Sequence, residues 1–175
     1  MTVETLQIRP TQIEDAHTLS CIYVQTWRDT YLSVIPYEYL STMSIARHEK
    51  AFSNELNSRH TISFVAQDSG RVIGFVTGGY ERHADEIYSG EIYTLYVVKN
   101  NQRRGVGTQL ISVLARQFNR LGIYSMLVRV IKLNPYRRFY NKINGIYLKT
   151  GRLPFADEMM DVETYGWLDT SLVDL

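Results

Sequence analysis

Apolar positions along the chain change period several times, and each change predicts a new element. Residues 6–9 form a short alternating stretch closed by Pro10, which reads as a first strand. Thr11-Gln12-Ile13-Glu14 then has capping-box spacing. The helix it opens is predicted to reach about Trp27, with Ile13, Leu19, Ile22 and Tyr23 facing the core. A second helix is predicted after Pro36, over residues 38–55. Residues 61–67 and 72–79 read as two strands joined at Asp68-Ser69-Gly70, an antiparallel hairpin. Residues 92–98, rich in aromatic and β-branched side chains, are the next strand. Over residues 104–121, Val106, Leu110, Leu114, Phe118 and Leu121 recur every three or four positions, the stripe of an amphipathic helix, and Gly122 suits its C′ position. Residues 125–131 are almost continuously apolar, as in a strand covered on both faces. A short helix over 135–142 and strands near Tyr147 and over 162–168 complete the order β-α-α-β-β-β-α-β-α-β-β, a mixed sheet with helices on both sides. There is no repeat and no Pro/Gly/Ser-rich linker, so residues 1–175 are expected to form one domain.

Charge adds something the periodicity hides. The net charge is only +1, yet no acid occurs between Glu91 and Asp157, and that stretch holds twelve of the nineteen Lys and Arg residues. Such asymmetry points to a polyanionic ligand for the basic part, or to helix faces that are merely solvated. No helix-turn-helix or RNA-binding signature accompanies the basic residues, so nucleic acid is not the expected partner. No apolar run is long enough to span a membrane, and the start of the chain has no signal-peptide pattern. Cys21 is the sole cysteine, which fits a reducing, cytoplasmic home. His17, His48, His60 and His83 lack metal-ligand spacing, so no metal is expected.

The candidate chemistry sits where a strand runs into a glycine turn and then a helix. First-turn N–H groups there have no intrahelical acceptor, and the helix dipole adds positive charge at the same end. Gly105 and Gly107 let backbone approach a bulky anion, with Arg103 and Arg104 beside it. A Walker loop is excluded because no Gly-Lys dipeptide exists. A dinucleotide fingerprint fits poorly, since Leu110 stands where its third glycine would and no acid follows until Asp157.

What remains is Gln102-Arg103-Arg104-Gly105-Val106-Gly107-Thr108 after Leu95-Tyr96-Val97-Val98. With Asn134-Pro135-Tyr136-Arg137-Arg138-Phe139-Tyr140 and Tyr165-Gly166-Trp167, it resembles the GNAT superfamily of N-acetyltransferases. The resemblance implies an α+β fold with a central mixed, mostly antiparallel sheet flanked by helices. It also implies transfer of an acetyl group from acetyl-CoA, as co-substrate, to a primary amine of a small molecule or peptide by direct attack in a ternary complex. The alternative is a non-catalytic acyl-CoA-binding or sensing module on the same fold. A homodimer is the family habit.

By the same resemblance, the backbone of Leu95, Tyr96, Val97 and Val98 would pair with the pantetheine arm. Residues 102–108 would hold the pyrophosphate, and Asn134 and Arg137 would contact the cofactor. Asn134 before a proline is also a good helix N-cap. Tyr140 would be the acid for the departing thiolate, unless it is only a core aromatic with its hydroxyl at the edge. A lysine-like amine, with a pKa of about 10.4, needs a base before it can attack. Glu91, at the start of the pre-loop strand, is the candidate, acting through water. Glu81, His83, Asp85 and Glu86 could form an acidic lip for a cationic acceptor. Trp27 and Tyr31 fall in the family's variable substrate-facing region, where they form either an aromatic wall or core packing.

Overall fold

The computed structural model describes residues 6–155 and 158–173; Asp157, which closes the acid-free stretch, lies outside them. Seven strands form one sheet in the order β1-β2-β3-β4-β5-β7-β6. They are β1 Gln7–Pro10, β2 Thr61–Asp68, β3 Arg71–Tyr80, β4 Gly90–Val97, β5 Met126–Ile131, β6 Ile146–Phe155 and β7 Glu158–Trp167. Every pairing is antiparallel except β4 with β5.

Alternating residues of the strands sort the helices onto two faces. Val65 and Phe75 pack with α1 (Ala16–Tyr31) and α3 (Ile45–Leu56), while their neighbours Ala66 and Val76 pack with α4 (Val106–Arg120). The α4 stripe is nearly as predicted: Leu110, Leu114 and Phe118 are completely buried, and Gly122 adopts φ +79° just past the helix end. Leu121 is the exception, half exposed because the helix has already ended at Arg120.

The remaining differences from the predicted elements have local causes. The opening box is closed by Asp15, not Glu14: its carboxylate accepts from Gln12 N at 2.8 Å and from Arg9 Nη1 and Nη2 at 2.7 and 2.8 Å. A 3₁₀ turn over Ile13–Asp15 precedes α1, which continues to Tyr31. The expected second helix is two, α2 (Tyr37–Thr42) and α3, broken at the extended residues Met43 and Ser44, whose hydroxyl caps α3 by accepting from Arg47 N. The residues before α5 (Phe139–Lys142) are turns, and α5 is one turn long. Strands β6 and β7 are ten residues each, longer than predicted, because an edge hairpin satisfies its backbone across the ladder without needing apolar alternation on both faces.

Candidate active site

Strand β4 pairs with β5 through only three residue pairs, Gly90↔Met126, Glu91↔Leu127 and Ile92↔Val128. At the same level the β3–β4 register shifts: Thr77 faces Thr94 and Gly78 faces Ile92, so Tyr93 is the extra residue of a bulge. A bulge bends its strand and increases its twist. Beyond it β4 runs on to Val97 paired with β3 but not with β5, and the gap opens into a cavity of about 940 Å³.

Backbone from β4 and the α4 N-terminus forms one side of this cavity. Leu95, Tyr96, Val97, Gln102, Arg103, Gly105, Val106, Gly107 and Thr108 all line it. The first intrahelical bond of α4 runs from Gln109 N to Gly105 O, so the N–H groups of Val106, Gly107 and Thr108 precede the helical ladder. Gly105 sits at the N-cap with φ +79°, and Arg103 is also left-handed at φ +60°. Left-handed residues in such a turn aim successive amides into one concavity, a geometry suited to an anion. A Cβ on Gly107 would come within 3.3 Å of the Phe139 ring, so glycine keeps that wall open. The Gln102 side chain donates to Val97 O at 2.9 Å and ties the loop back to the end of β4.

Helix α1 and the β5–α5 segment close the other side. Thr26, Thr30, Tyr31, Asn134, Arg138, Phe139 and Tyr140 line it. Asn134 Nδ2 donates to the Tyr31 hydroxyl at 3.0 Å, a bond across the cleft between residues 103 positions apart. Its Oδ1 accepts from Tyr136 N at 2.8 Å, closing a local turn and not the predicted helix cap, because α5 begins only at Phe139. Tyr140 is held by aromatic contacts with Phe139, Tyr165 and Trp167 at centroid distances of 5.3, 5.7 and 6.3 Å. Its hydroxyl has no hydrogen-bond partner among the described residues. Burial pushes its pKa far above the ordinary tyrosine value, so the phenol keeps its proton at neutral pH. Burial likewise pushes Tyr31 up to about 12, partly opposed by the bond from Asn134.

Several predicted residues stand elsewhere. Glu91 does not line the cavity: its side chain is 3 % exposed and encased by arginines. Oε2 accepts from Arg82 N and Nε at 3.2 and 3.0 Å, Oε1 accepts from Arg82 Nη2 at 2.9 Å, and Arg129 Nη1 lies 3.0 Å from Oε1. Arginines engage both oxygens and tie the β4 carboxylate to β5 and to the loop after β3. Arg137 turns away to Glu163, Nε to Oε2 at 3.1 Å, and Arg138 lines the cavity instead. Arg104 lies 3.7 Å from Asp68 and is not among the lining residues. Val98 has its amide bonded to Ile73 O and its side chain against the α1–α3 core. Trp27 is core, with Nε1 donating to the Tyr96 hydroxyl at 2.9 Å.

The predicted acidic lip is a structured loop. Glu81 accepts from His83 N, Asp85 N and Arg129, and Asp85 accepts from Ile87 N and Tyr88 N. Thr26, Thr30 and Phe139 were missed by sequence reasoning; the i, i+4 threonine pair on α1 was the available signal. No group of three or more His, Cys, Asp or Glu side chains is placed to hold a metal among the described residues. No helix among them is long and apolar enough to cross a membrane.

Comparison with known proteins bears on the family and the fold. Residues 23–146 match the acetyltransferase (GNAT) family. The chain is 32 % identical over 166 residues to the N-acetyltransferase YuaI of Bacillus subtilis (strain 168), covering 94 % of each. Its fold is similar to that of a GCN5-related N-acetyltransferase from Rhodopseudomonas palustris, with a TM-score of 0.75, 22 % identity, and 95 % and 97 % of the two chains covered. It is also similar to yncA, a putative acetyltransferase from Salmonella typhimurium solved with its cofactor acetyl-CoA, with a TM-score of 0.70, 19 % identity, and 94 % and 95 % covered.

Proposed function

The chain belongs to the acetyltransferase (GNAT) family, and we propose that it moves an acetyl group from acetyl-CoA to a primary amine of a small molecule or peptide by direct attack within a ternary complex. The observation that carries this reading is that one cavity is lined both by the amide-rich turn before α4 and by the Tyr140 phenol. Acetyl-CoA, when bound, supplies an activated acyl carbon and a thiolate leaving group.

The chain's own groups divide the work. The N–H groups of Val106, Gly107 and Thr108, with Arg103, hold the pyrophosphate. The backbone of Leu95, Tyr96 and Val97, free of β5, pairs with the pantetheine arm. Asn134, held by Tyr31, offers its amide to the same arm. Tyr140 offers a neutral O–H donor to the negative charge that develops on the departing sulfur. The lone cysteine fits a cytoplasmic setting.

The test is an acceptor screen that follows thiol release from acetyl-CoA, comparing wild type with Tyr140→Phe. Wild type is expected to turn over at least one primary amine. The variant should lose about 10²- to 10³-fold in kcat while binding CoA with unchanged affinity by calorimetry. CoA binding without turnover on any amine would reduce the protein to an acyl-CoA-binding module.

A further inference from the structure

The amide of Asn134 is oriented by a donor that cannot reverse. A backbone N–H only donates, so the bond from Tyr136 N assigns Asn134 Oδ1 and leaves Nδ2 toward Tyr31. The Tyr31 oxygen is therefore the acceptor of that bond, and its own O–H proton must point elsewhere. Among the described residues no acceptor takes it. Tyr31 lines the cavity, so the proton is available to a group bound there.

Two braces hold this phenol over the place where β4 and β5 part. Its ring centroid lies 4.6 Å from that of Trp27, whose Nε1 donates to the Tyr96 hydroxyl on β4. The apolar cluster that contains both residues also packs against Ile131, the last residue of β5. From across the cleft Asn134 fixes the hydroxyl, and Tyr140 follows on the same segment, in α5. Tyr31 and Tyr140 are only 4 % and 8 % exposed, so neither ring is free to swing away.

Two neutral phenols thus offer protons to one cavity. Burial pushes the Tyr31 hydroxyl up to about 12, against the opposing bond from Asn134, so it stays protonated at neutral pH. Accepting from Asn134 also polarises the O–H and makes it a stronger donor. Such a donor suits an oxygen. Toward the attacking amine it would occupy the lone pair that has to react.

We propose that Tyr31 is a second catalytic residue, its O–H donating to the carbonyl oxygen of the thioester while Tyr140 serves the sulfur; this rests on the acetyl-transfer reading above. The amine nitrogen forms its bond to the acyl carbon, and the carbonyl electron pair moves onto oxygen. Tyr31 stabilises that charge by a hydrogen bond and keeps its proton. The pair returns as the carbon–sulfur bond breaks, and the sulfur leaves with the electrons of that bond and takes the Tyr140 proton. The nitrogen releases one proton to water, and Tyr140 recovers one from it.

The experiment uses the full chain, the best primary amine from the acceptor screen, and acetyl-CoA isotopically labelled at the thioester carbonyl. Tyr31→Phe should lower kcat about 10²-fold while the Kd for free CoA is unchanged. In infrared difference spectra of the complex without amine, the labelled carbonyl band should move to higher frequency in Tyr31→Phe and stay in place in Tyr140→Phe. Should Tyr31→Phe not fold, Asn134→Asp decides: its carboxylate only accepts, so Tyr31 turns its proton to it and the band moves upward likewise. An unmoved band, or a kcat within about threefold of wild type, overturns the donor role and leaves acetyl transfer standing. A matching loss of affinity for free CoA would assign the bond to the pantetheine arm and overturns it too. Absence of amine turnover in wild type overturns both.

Discussion

The two ends of β4 solve opposite problems with different materials. At its N-terminal end the strand is joined to β5 by three residue pairs and by a chain of charges, Arg82–Glu91–Arg129–Glu81, that links β4, β5 and the loop after β3. At its C-terminal end β5 is gone, and aromatic rings and one cross-cleft bond, Asn134 to Tyr31, hold the walls of a cavity apart. The charged end trades desolvation for several hydrogen bonds per ion, which makes it intolerant of losing one member. The open end leaves backbone amides available, which makes it usable. A ligand cleft in this fold is therefore a seam left open beside a seam closed tightly.

Substitutions at the two ends should separate stability from binding. The largest stability effect is expected for Arg129→Met, which leaves the Glu81 carboxylate, 3 % exposed, without a cation and Glu91 with Arg82 alone. A loss of about 3–5 kcal/mol follows, read as a lowered denaturant midpoint, with CoA affinity of the folded fraction retained. An unchanged midpoint would mean the charge chain contributes nothing to holding β4 on β5.

Gly105→Val acts at the other end. Nothing crowds a Cβ there beyond Gln109 Nε2 at 4.0 Å, but φ +79° costs a branched residue about 1–2 kcal/mol. Relief of that strain would turn the amides away from the concavity, so the Kd for CoA should rise tenfold or more by about 1.4 kcal/mol per decade. Wild-type affinity would show that the turn does not bind the pyrophosphate.

The smallest effect is a pH dependence. Burial opposes the charged form of Glu81, but hydrogen bonds from Asp85 N, Arg129 and His83 N outweigh it and leave the pKa below the ordinary glutamate value. A depressed carboxylate adds stability that is fully present above its unfolded value, about 4.3, and is lost as pH falls through the folded one. The stability gap between wild type and Glu81→Gln should therefore be constant near neutrality and shrink in acid. A gap independent of pH would assign Glu81 a packing role only.

Legibility in the sequence followed locality. The α4 stripe, the Gly105 turn and Gly122 were readable because each depends on residues within one helical turn. The Tyr140 position came from the family resemblance, and its placement in the cavity agrees with that expectation without testing the chemistry. The arginine partners of Glu91 lie nine residues back and on another strand, so its burial could not be judged from position. The resemblance implied a cofactor contact for Arg137, and Glu163 on β7, 26 residues on, is the partner that position in the chain did not announce. Glu55 closed a predicted helix and drew no attention, since nothing nearby in the chain announces that its Oε1 will be buried without a hydrogen-bond partner.

The order of amino acids alone determined the alternation of elements, the amide-rich turn and its excess of positive charge, because hydrophobic period, glycine and backbone polarity act over a few residues. Only the tertiary structure decided which carboxylates are bound by arginine and which is left with a bare buried oxygen. Desolvation and ion pairing depend on what the sheet brings alongside, and strands adjacent in space here are tens of residues apart in the chain.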